Sequence, residues 1–141
     1  MTAASVGQTG RVVRYLSLAW IDELSAEVSA STRLAELAGT HRIGVTQIVT
    51  DGPEGDVTYH LQIGDGTARF GAGPADPEHV CMRQTWATAV AVATGELPAQ
   101  EAFIGGRILL TGDQQALLDA QPVFAALDAV FATVRERTEY R

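Results

Sequence analysis

The most informative stretch of the chain is VCMRQTWATAVAVATGELPAQEAFIGGRILLTGDQQAL, from Val80 to Leu117. It has the order of a short apolar strand, a helix, a second helix, a glycine pair, an apolar strand and a Gly-Asp turn. The helix predicted over residues 84–94 carries no charged side chain, whereas a surface helix of a small domain normally has one polar face. We therefore expect this helix either to be buried on several sides or to line an internal apolar space.

N-terminal to this stretch, the apolar residues first recur with the spacing of a helix and then alternate with polar residues as in a strand. Residues 12–29 are predicted to form an amphipathic helix whose apolar stripe has i, i+4 spacing. A helical turn around Leu34 and Leu37 is expected to follow. Between residues 57 and 63 apolar and polar side chains alternate, which predicts a strand with one buried face. The stripe of the first helix consists of Leu16, Trp20, Leu24 and Val28.

The remaining strands and helices complete one architecture. Strands are expected around residues 43–49 and 68–72, and Asp65-Gly66 favours a tight hairpin before the second of them. A fourth strand is predicted over 79–82 and a fifth over 107–111. Asp113 is a candidate N-cap, and a last helix begins at Pro122. The pattern predicts an α+β domain in which helices cover one face of a mainly antiparallel sheet.

Composition limits the classes of function. The 141 residues include 10 basic and 17 acidic side chains, a formal charge of −7. This balance argues against nucleic-acid binding, which requires clustered Lys and Arg, and against docking on anionic membranes. One cysteine gives no intrachain disulfide and fits a reducing compartment, so a cytoplasmic, bacterial-type protein is expected. No apolar run is long enough to span a bilayer, so stable membrane insertion is not expected. Residues 1–10 are predicted to be a flexible lead.

The segments TWATAVAVATGEL (residues 85–97) and AQEAFIGGRILLTGD (residues 99–113), with the preceding β-meander, resemble the bacterial branch of the sterol carrier protein family. These are the non-specific lipid-transfer, sterol-binding domains. The resemblance covers roughly residues 15–135 and implies a lipid-binding domain over 11–141. It also implies a five-stranded sheet with helices on one face and an apolar tunnel between them. Thr85 stands where the family often has an acidic helix cap, although threonine can also cap a helix.

Other chemical signals have plainer explanations. The three histidines lack the spacing of metal ligands, so no metal site is expected and they are interpreted as surface residues. Cys81 lies within a predicted strand without a catalytic motif, which favours a structural thiol. Gly105-Gly106 precedes a strand and has no following Gly-Lys-Ser/Thr, so a phosphate loop and a nucleotide cofactor are not expected. We predict no catalytic residue and no cofactor.

The favoured hypothesis is a non-enzymatic carrier that binds or transfers a sterol, fatty acid or acyl lipid in an apolar tunnel. The last helix is a candidate lid, and Arg83 or Arg107 a candidate contact for an acidic head group. An enzyme of isomerase or cyclase type, acting through Tyr59 or Cys81, is the first alternative. A protein-interaction subunit with a collapsed pocket is the second, and a homodimer is left open. The candidate ligand-binding residues are Trp20, Trp86, Val90, Phe103, Ile104, Phe124 and Phe131.

Overall fold

The computed structural model describes residues 13–140, so the predicted flexible lead over 1–10 lies outside the described residues. The chain in this range alternates between short helices and strands. In chain order the elements are β1 (Val13–Arg14), α1 (Leu18–Ala30), α2 (Thr32–Ala38), β2 (Ile43–Gly52), β3 (Gly55–Gly64), β4 (Thr67–Ala72), β5 (Val80–Thr85), α3 (Trp86–Ala93), α4 (Ala99–Ile104), β6 (Leu109–Gly112), α5 (Gln114–Asp119), α6 (Gln121–Arg135) and β7 (Thr138–Glu139).

Five strands form one sheet in the order β4-β3-β2-β5-β6. Three of the four pairings are antiparallel, and β2 with β5 is parallel because the chain crosses from β4 back past β2. The predicted α+β class and the mainly antiparallel five-stranded sheet are therefore confirmed. Separately, β1 and β7 pair in parallel, which ties residues 13–14 to residues 138–139.

The inner face of the sheet is apolar, and helices pack against it. Side chains two residues apart point to the same face of a strand, and in β2 and β3 one such set is almost fully buried. Helix α1 lies against β4, α2 against β3 and β4, and α6 against α1 and α2. The largest side chains that are fully buried in this layer are Leu24, Leu34, Ile43, Val28, Val45, Val49, Val80, Val123 and Val134.

The first helix starts later than its apolar period predicted. Val13 and Arg14 form strand β1, and Leu16 adopts a left-handed φ of 64° in the turn that follows. The Ser17 hydroxyl then accepts a hydrogen bond from the Trp20 amide at 3.2 Å, which fixes the N-terminus of α1 at Leu18. The prediction of a helix from residue 12 was wrong. Leu16 fits the helical spacing of the apolar stripe, but it is buried in a turn that precedes the helix.

The helix without charged residues is shorter than predicted, because strand β5 extends to Thr85. The Thr85 hydroxyl accepts a hydrogen bond from the Thr88 amide at 3.3 Å and caps α3. Asp113 caps α5 in the same way, accepting from the Ala116 amide at 3.0 Å, as its position predicted. In the part of the chain that the structure describes, no helix combines the length and the hydropathy that a bilayer crossing requires.

Candidate functional site

A cleft of about 220 Å³ lies between the inner face of the sheet and the helices. Helix α1 contributes Trp20 and Leu24, helix α3 contributes small apolar side chains, and α6 closes the opposite side. Because alanine and valine fill little volume, α3 leaves space between itself and the sheet. The cleft is lined by Tyr15, Trp20, Leu24, Gln47, Tyr59, Met82, Gln84, Ala89, Val92, Ala93, Ile108, Asp128, Phe131, Val134, Arg135, Thr138 and Tyr140.

Trp20 is the centre of an aromatic cluster that forms one wall of the cleft. Its ring meets Tyr15 edge-on at a centroid distance of 4.9 Å and Tyr59 at 5.7 Å. Phe70 and Phe131 lie at 5.9 and 6.3 Å from the same ring. Edge-to-face pairs at such distances are favourable beyond the area they bury. The wall is therefore a closely packed aromatic surface.

The phenols of Tyr15 and Tyr59 bring polar atoms into this wall without bringing charge. Burial raises the pKa of Tyr59 far above its usual value, and burial, followed by the neighbouring Tyr59 and Tyr140, raises the pKa of Tyr15. Both hydroxyls therefore keep their protons at neutral pH. A phenol with a raised pKa is a poor general base, but it remains a hydrogen-bond donor and acceptor.

Two glutamine amides add polar groups on the sheet side of the cleft. Gln47 of β2 and Gln84 of β5 occupy inner-face positions on neighbouring strands, where Gln47 pairs with Met82 and Gln84 pairs with Val49. The Gln84 Nε2 donates to the Gln47 Oε1 at 3.2 Å, and the Gln47 Nε2 donates to the Met82 Sδ at 3.3 Å. The cleft thus has a mainly apolar helical wall, in which Asp128 and Arg135 of α6 are the charged members, and an uncharged polar strip on the sheet.

The predicted ligand-binding residues are distributed over three environments. Trp20 and Phe131 line the cleft. Trp86, Val90 and Phe124 are partly buried against the core outside its lining, and Trp86 contacts Tyr15 at a centroid distance of 5.4 Å. Phe103 and Ile104 lie at the surface at the end of α4, with exposed fractions of 47% and 78%. Trp86, Val90 and Phe103, all candidate ligand-binding residues, therefore do not line the cleft.

Arg83 and Arg107 lie together, but in a different hollow. They line a surface depression with Thr85, Gly106 and Leu109, and Gln84 borders both this depression and the cleft. The arginine that lines the cleft itself is Arg135 of α6. The predicted lid helix is α6, which contributes Phe131 and Val134 to the cleft wall and buries Val123, Leu127 and Val134.

Cys81 is on the outer face of the sheet, away from the cleft. It pairs with Thr46, whose hydroxyl accepts a hydrogen bond from the Ala75 amide at 2.9 Å on that face. Partial burial, followed by the nearby Glu78 carboxylate, raises the pKa of the Cys81 thiol, whereas Arg83 and Thr111 lower it less. A thiol with a raised pKa is a weak nucleophile at neutral pH. The geometry therefore gives Cys81 no activation.

A second hollow, of about 240 Å³, opens on the outer side of the sheet. Its lining includes Arg42, Arg69, Asp65, Asp76 and His79, and Arg42 forms an ion pair with Asp65. A hydrocarbon placed there would strip water from charged groups, which is unfavourable. Within residues 13–140 no group of three or more His, Cys, Asp or Glu side chains is placed to hold a metal ion. The cleft is thus the better candidate for an apolar ligand.

The sequence pointed to Tyr59 as a candidate reactive residue, whereas Tyr15, Gln47, Gln84 and Tyr140 were missed. Gln47 could have been found, since it has the same parity as Val45 and Val49 along one strand. Gln84 was assigned to the helix, so its inner-face position could not be recognised. Tyr15 and Tyr140 reach the cleft through the pairing of β1 with β7, and nothing in the local sequence indicates a pairing between the two ends of the chain.

The buried phenols predict a loss of stability in alkali. Below about pH 9 neither the native nor the unfolded tyrosines ionise appreciably, so this contribution to stability is constant. Above the usual pKa of 10.0 the unfolded chain releases phenolic protons that the native state retains, which favours unfolding. We expect the free energy of unfolding to fall by about 1.4 kcal/mol per pH unit for each such tyrosine. Urea titrations followed by far-UV circular dichroism between pH 8 and 11 would measure the slope.

Tyr59→Phe provides the control for this prediction, because it removes one titrating phenol and keeps the ring. Its alkaline slope should be shallower than that of the parent protein. The chain contains no lysine, and the Cys81 thiol is common to both proteins, so the difference between their slopes reports on Tyr59. An unchanged slope in Tyr59→Phe would contradict the burial argument.

The chain is similar to a known protein family and to several solved structures. The model of the SCP-2 sterol transfer family matches residues 21–125, which confirms the resemblance carried by residues 85–113. No curated protein matches the chain in sequence. Similarity to solved structures is low in sequence, and it therefore concerns the fold alone.

Three solved structures illustrate this similarity. A conserved hypothetical protein from Thermus thermophilus, whose description relates it to sterol carrier proteins, is 19% identical, with coverage of 92% of this chain and 93% of that one and a TM-score of 0.63. Apo sterol carrier protein 2 from Yarrowia lipolytica is 12% identical over 90% and 98% of the chains, with a TM-score of 0.59. A stereoselective inverting sec-alkylsulfatase from Pseudomonas sp. is 21% identical over 77% of this chain and 16% of that chain, with a TM-score of 0.52.

Proposed function

The chain belongs to the SCP-2 sterol transfer family, and on this premise we propose that it binds or transfers a hydrophobic ligand in the cleft without catalysing a reaction on it. The observation that carries the proposal is the mainly apolar space between α1, α3, α6 and the sheet, walled by Trp20, Phe131 and the small side chains of α3. Ligand sites are typically concave and mainly apolar, with polar groups that orient the ligand, and apolar and aromatic side chains form most of the lining of this cleft.

The free energies of chain burial and of association predict a modest affinity for a single-chain ligand. Burying one methylene group contributes about 0.8 kcal/mol, so a ten-carbon chain would contribute about 8 kcal/mol. Association opposes this with a cost of about 4 kcal/mol or more for lost translational and rotational freedom. The net value of about 4 kcal/mol or less corresponds to binding of a ten-carbon chain in about the millimolar range, from which a carrier can readily release its cargo.

The chemistry of the polar groups favours binding over catalysis. Tyr59 and Tyr15 are held neutral in the cleft wall, and Cys81 lies on the other side of the sheet. Neither alternative group for an enzymatic reaction therefore combines access to the cleft with an activated state. The fold also occurs within a larger chain, the sec-alkylsulfatase, of which the similarity covers 16%.

Filling the cleft tests the proposal. Ala93→Phe introduces a large side chain into the lining, and we expect it to weaken binding of the neutral probe diphenylhexatriene at least tenfold, equivalent to about 1.4 kcal/mol. The measurement is the rise in probe fluorescence on titration with protein. Ala87→Phe is the matched control, because Ala87 is exposed on the same helix and should leave binding unchanged.

The two variants also separate binding from folding. Both should retain the circular dichroism spectrum and unfolding midpoint of the parent protein. If the parent protein fails to bind diphenylhexatriene and co-purifies with no lipid in native mass spectrometry, the carrier proposal is wrong. Equal binding by the parent protein and Ala93→Phe would show that the ligand occupies another place.

A further inference from the structure

The amides of Gln47 and Gln84 are an unexpected feature for the inner face of a sheet. Their neighbours along the two strands are Val45, Val49, Val80 and Met82, which pack toward the core. An amide buried without a partner is unfavourable, so an apolar residue would be the simpler choice at both positions. Instead the two side chains line the cleft side by side.

The hydrogen bonds of the pair leave specific groups available. Gln84 donates to Gln47, and Gln47 donates to a methionine sulfur, which is a weak acceptor. No donor in residues 13–140 reaches the Oε1 of Gln84, and each Nε2 keeps a second proton. The phenol of Tyr59, on the strand beside β2, adds a neutral hydroxyl to the same cleft. The site therefore offers both donors and acceptors to a small polar group.

The pair carries no charge that would balance an anion. Among residues 13–140, the charged side chains in the cleft lining are Asp128 and Arg135, two turns apart on α6 and exposed to solvent. Arg83 and Arg107 line the adjacent surface depression. A carboxylate drawn to the amides would lose water without gaining a buried countercharge. A hydroxyl can both donate and accept there at no such cost.

The size of the cleft limits the rest of the ligand. Its volume of about 220 Å³ lies below the range of roughly 300–1,000 Å³ that is usual for ligand pockets. A fused-ring or two-chain lipid would require the helices to move apart. A single flexible chain can follow the space between α3 and the aromatic wall as it is.

We propose that the cleft selects a single-chain lipid with an uncharged hydroxyl head group, which is bound by the Gln47–Gln84 amide pair. This inference rests on the proposed function and specifies its ligand class. The hydroxyl donates to the Oε1 of Gln84 and accepts from an amide Nε2, while the chain lies against Trp20 and Phe131. An ester of equal length lacks the donor, and a carboxylate lacks both the donor and a partner for its charge.

Competition against diphenylhexatriene tests this selection. Decanol, methyl decanoate and decanoate share chain length and differ in the head group, and decanoate is ionised at neutral pH. We expect decanol to displace the probe at about tenfold lower concentration than either of the others. Gln47→Leu and Gln84→Leu, made separately, should remove this preference when the three lipids are compared within each variant against that variant's own affinity for diphenylhexatriene. Gln115→Leu, at an exposed position of α5, is the matched control and should keep the preference.

The outcomes separate this inference from the proposed function. Equal displacement by the three lipids, a preference for decanoate, or an unchanged preference for decanol in both leucine variants would overturn the inference and leave the carrier proposal standing. A preference for decanoate that disappears in Arg135→Gln would instead place the head group at the rim of the cleft. Failure of the parent protein to bind either the probe or any of the three lipids would overturn both.

Discussion

Trp20→Ala is expected to lower the free energy of unfolding by about 3–5 kcal/mol, the range typical of removing a buried aromatic side chain. The Trp20 ring is 5% exposed and contacts four other aromatic rings on α6, the sheet and the N-terminal turn. Its removal would leave a large cavity among the neighbouring rings, which adds to the lost burial of the side chain itself. Equilibrium urea unfolding followed by far-UV circular dichroism measures the loss independently of tryptophan fluorescence.

Trp86→Ala is the matched control, since it removes the same side chain from a half-buried position with one aromatic partner, Tyr15. We expect less than half of the destabilisation at Trp86, because part of that ring already contacts solvent. Trp20→Phe should recover part of the loss by keeping a ring in the cluster. Equal destabilisation by the two alanine variants would contradict the view that Trp20 organises the wall of the cleft.

Much of the fold could be predicted from local periodicity. The alternation from Val57 to Ile63 identified β3 together with its buried face, because a period of two is hard to reconcile with any other element. The Asp65-Gly66 turn fixed the hairpin that follows, and Asp65 does adopt a left-handed φ of 52°. Asp113 was recognised as a cap because its side chain type and position before a helix leave few other roles.

The cleft was less predictable, because it depends on contacts between distant segments. The strand pairing of Val13 and Arg14 with Thr138 and Glu139 brings Tyr15 and Tyr140 to within 5.0 Å between ring centroids. The type of a large apolar side chain does not by itself predict whether that side chain is buried or exposed. Phe103 and Ile104 are as hydrophobic as Trp20, but the short helix α4 that carries them leaves both at the surface.

The boundary between β5 and α3 shows why the polar residues of the cleft are even harder to predict from the sequence. Threonine at position 85 can end a strand or cap a helix, and here it does both. Once the helix is taken to start at residue 84, Gln84 loses its strand parity and its position beside Gln47 cannot be inferred. An error of two residues at one boundary was therefore enough to hide the polar strip of the cleft.

The outer face of the sheet carries its own constraint, at Gly44 in β2. The segment of residues 73–79 folds back over this face, and the His79 amide donates to the Gly44 carbonyl oxygen at 2.8 Å while the Gly44 amide donates to the His79 Nδ1 at 2.9 Å. A Cβ at position 44 would lie well under 3.0 Å from the Pro77 carbonyl oxygen. Glycine is required there because backbone, rather than a flexible side chain, occupies the space.

Gly44→Ala is therefore expected to destabilise the protein by about 3 kcal/mol, at the upper end of the cost of overpacking. Gly71→Ala is the matched control, because Gly71 lies on the same face in β4 and its added Cβ would meet the His60 ring at 3.3 Å. That ring can shift, so the cost at Gly71 should stay below about 1 kcal/mol. Urea unfolding of both variants measures the difference. If Gly44→Ala were as stable as Gly71→Ala, the segment of residues 73–79 could not be packed against β2 as described, and the outer face would be open to solvent.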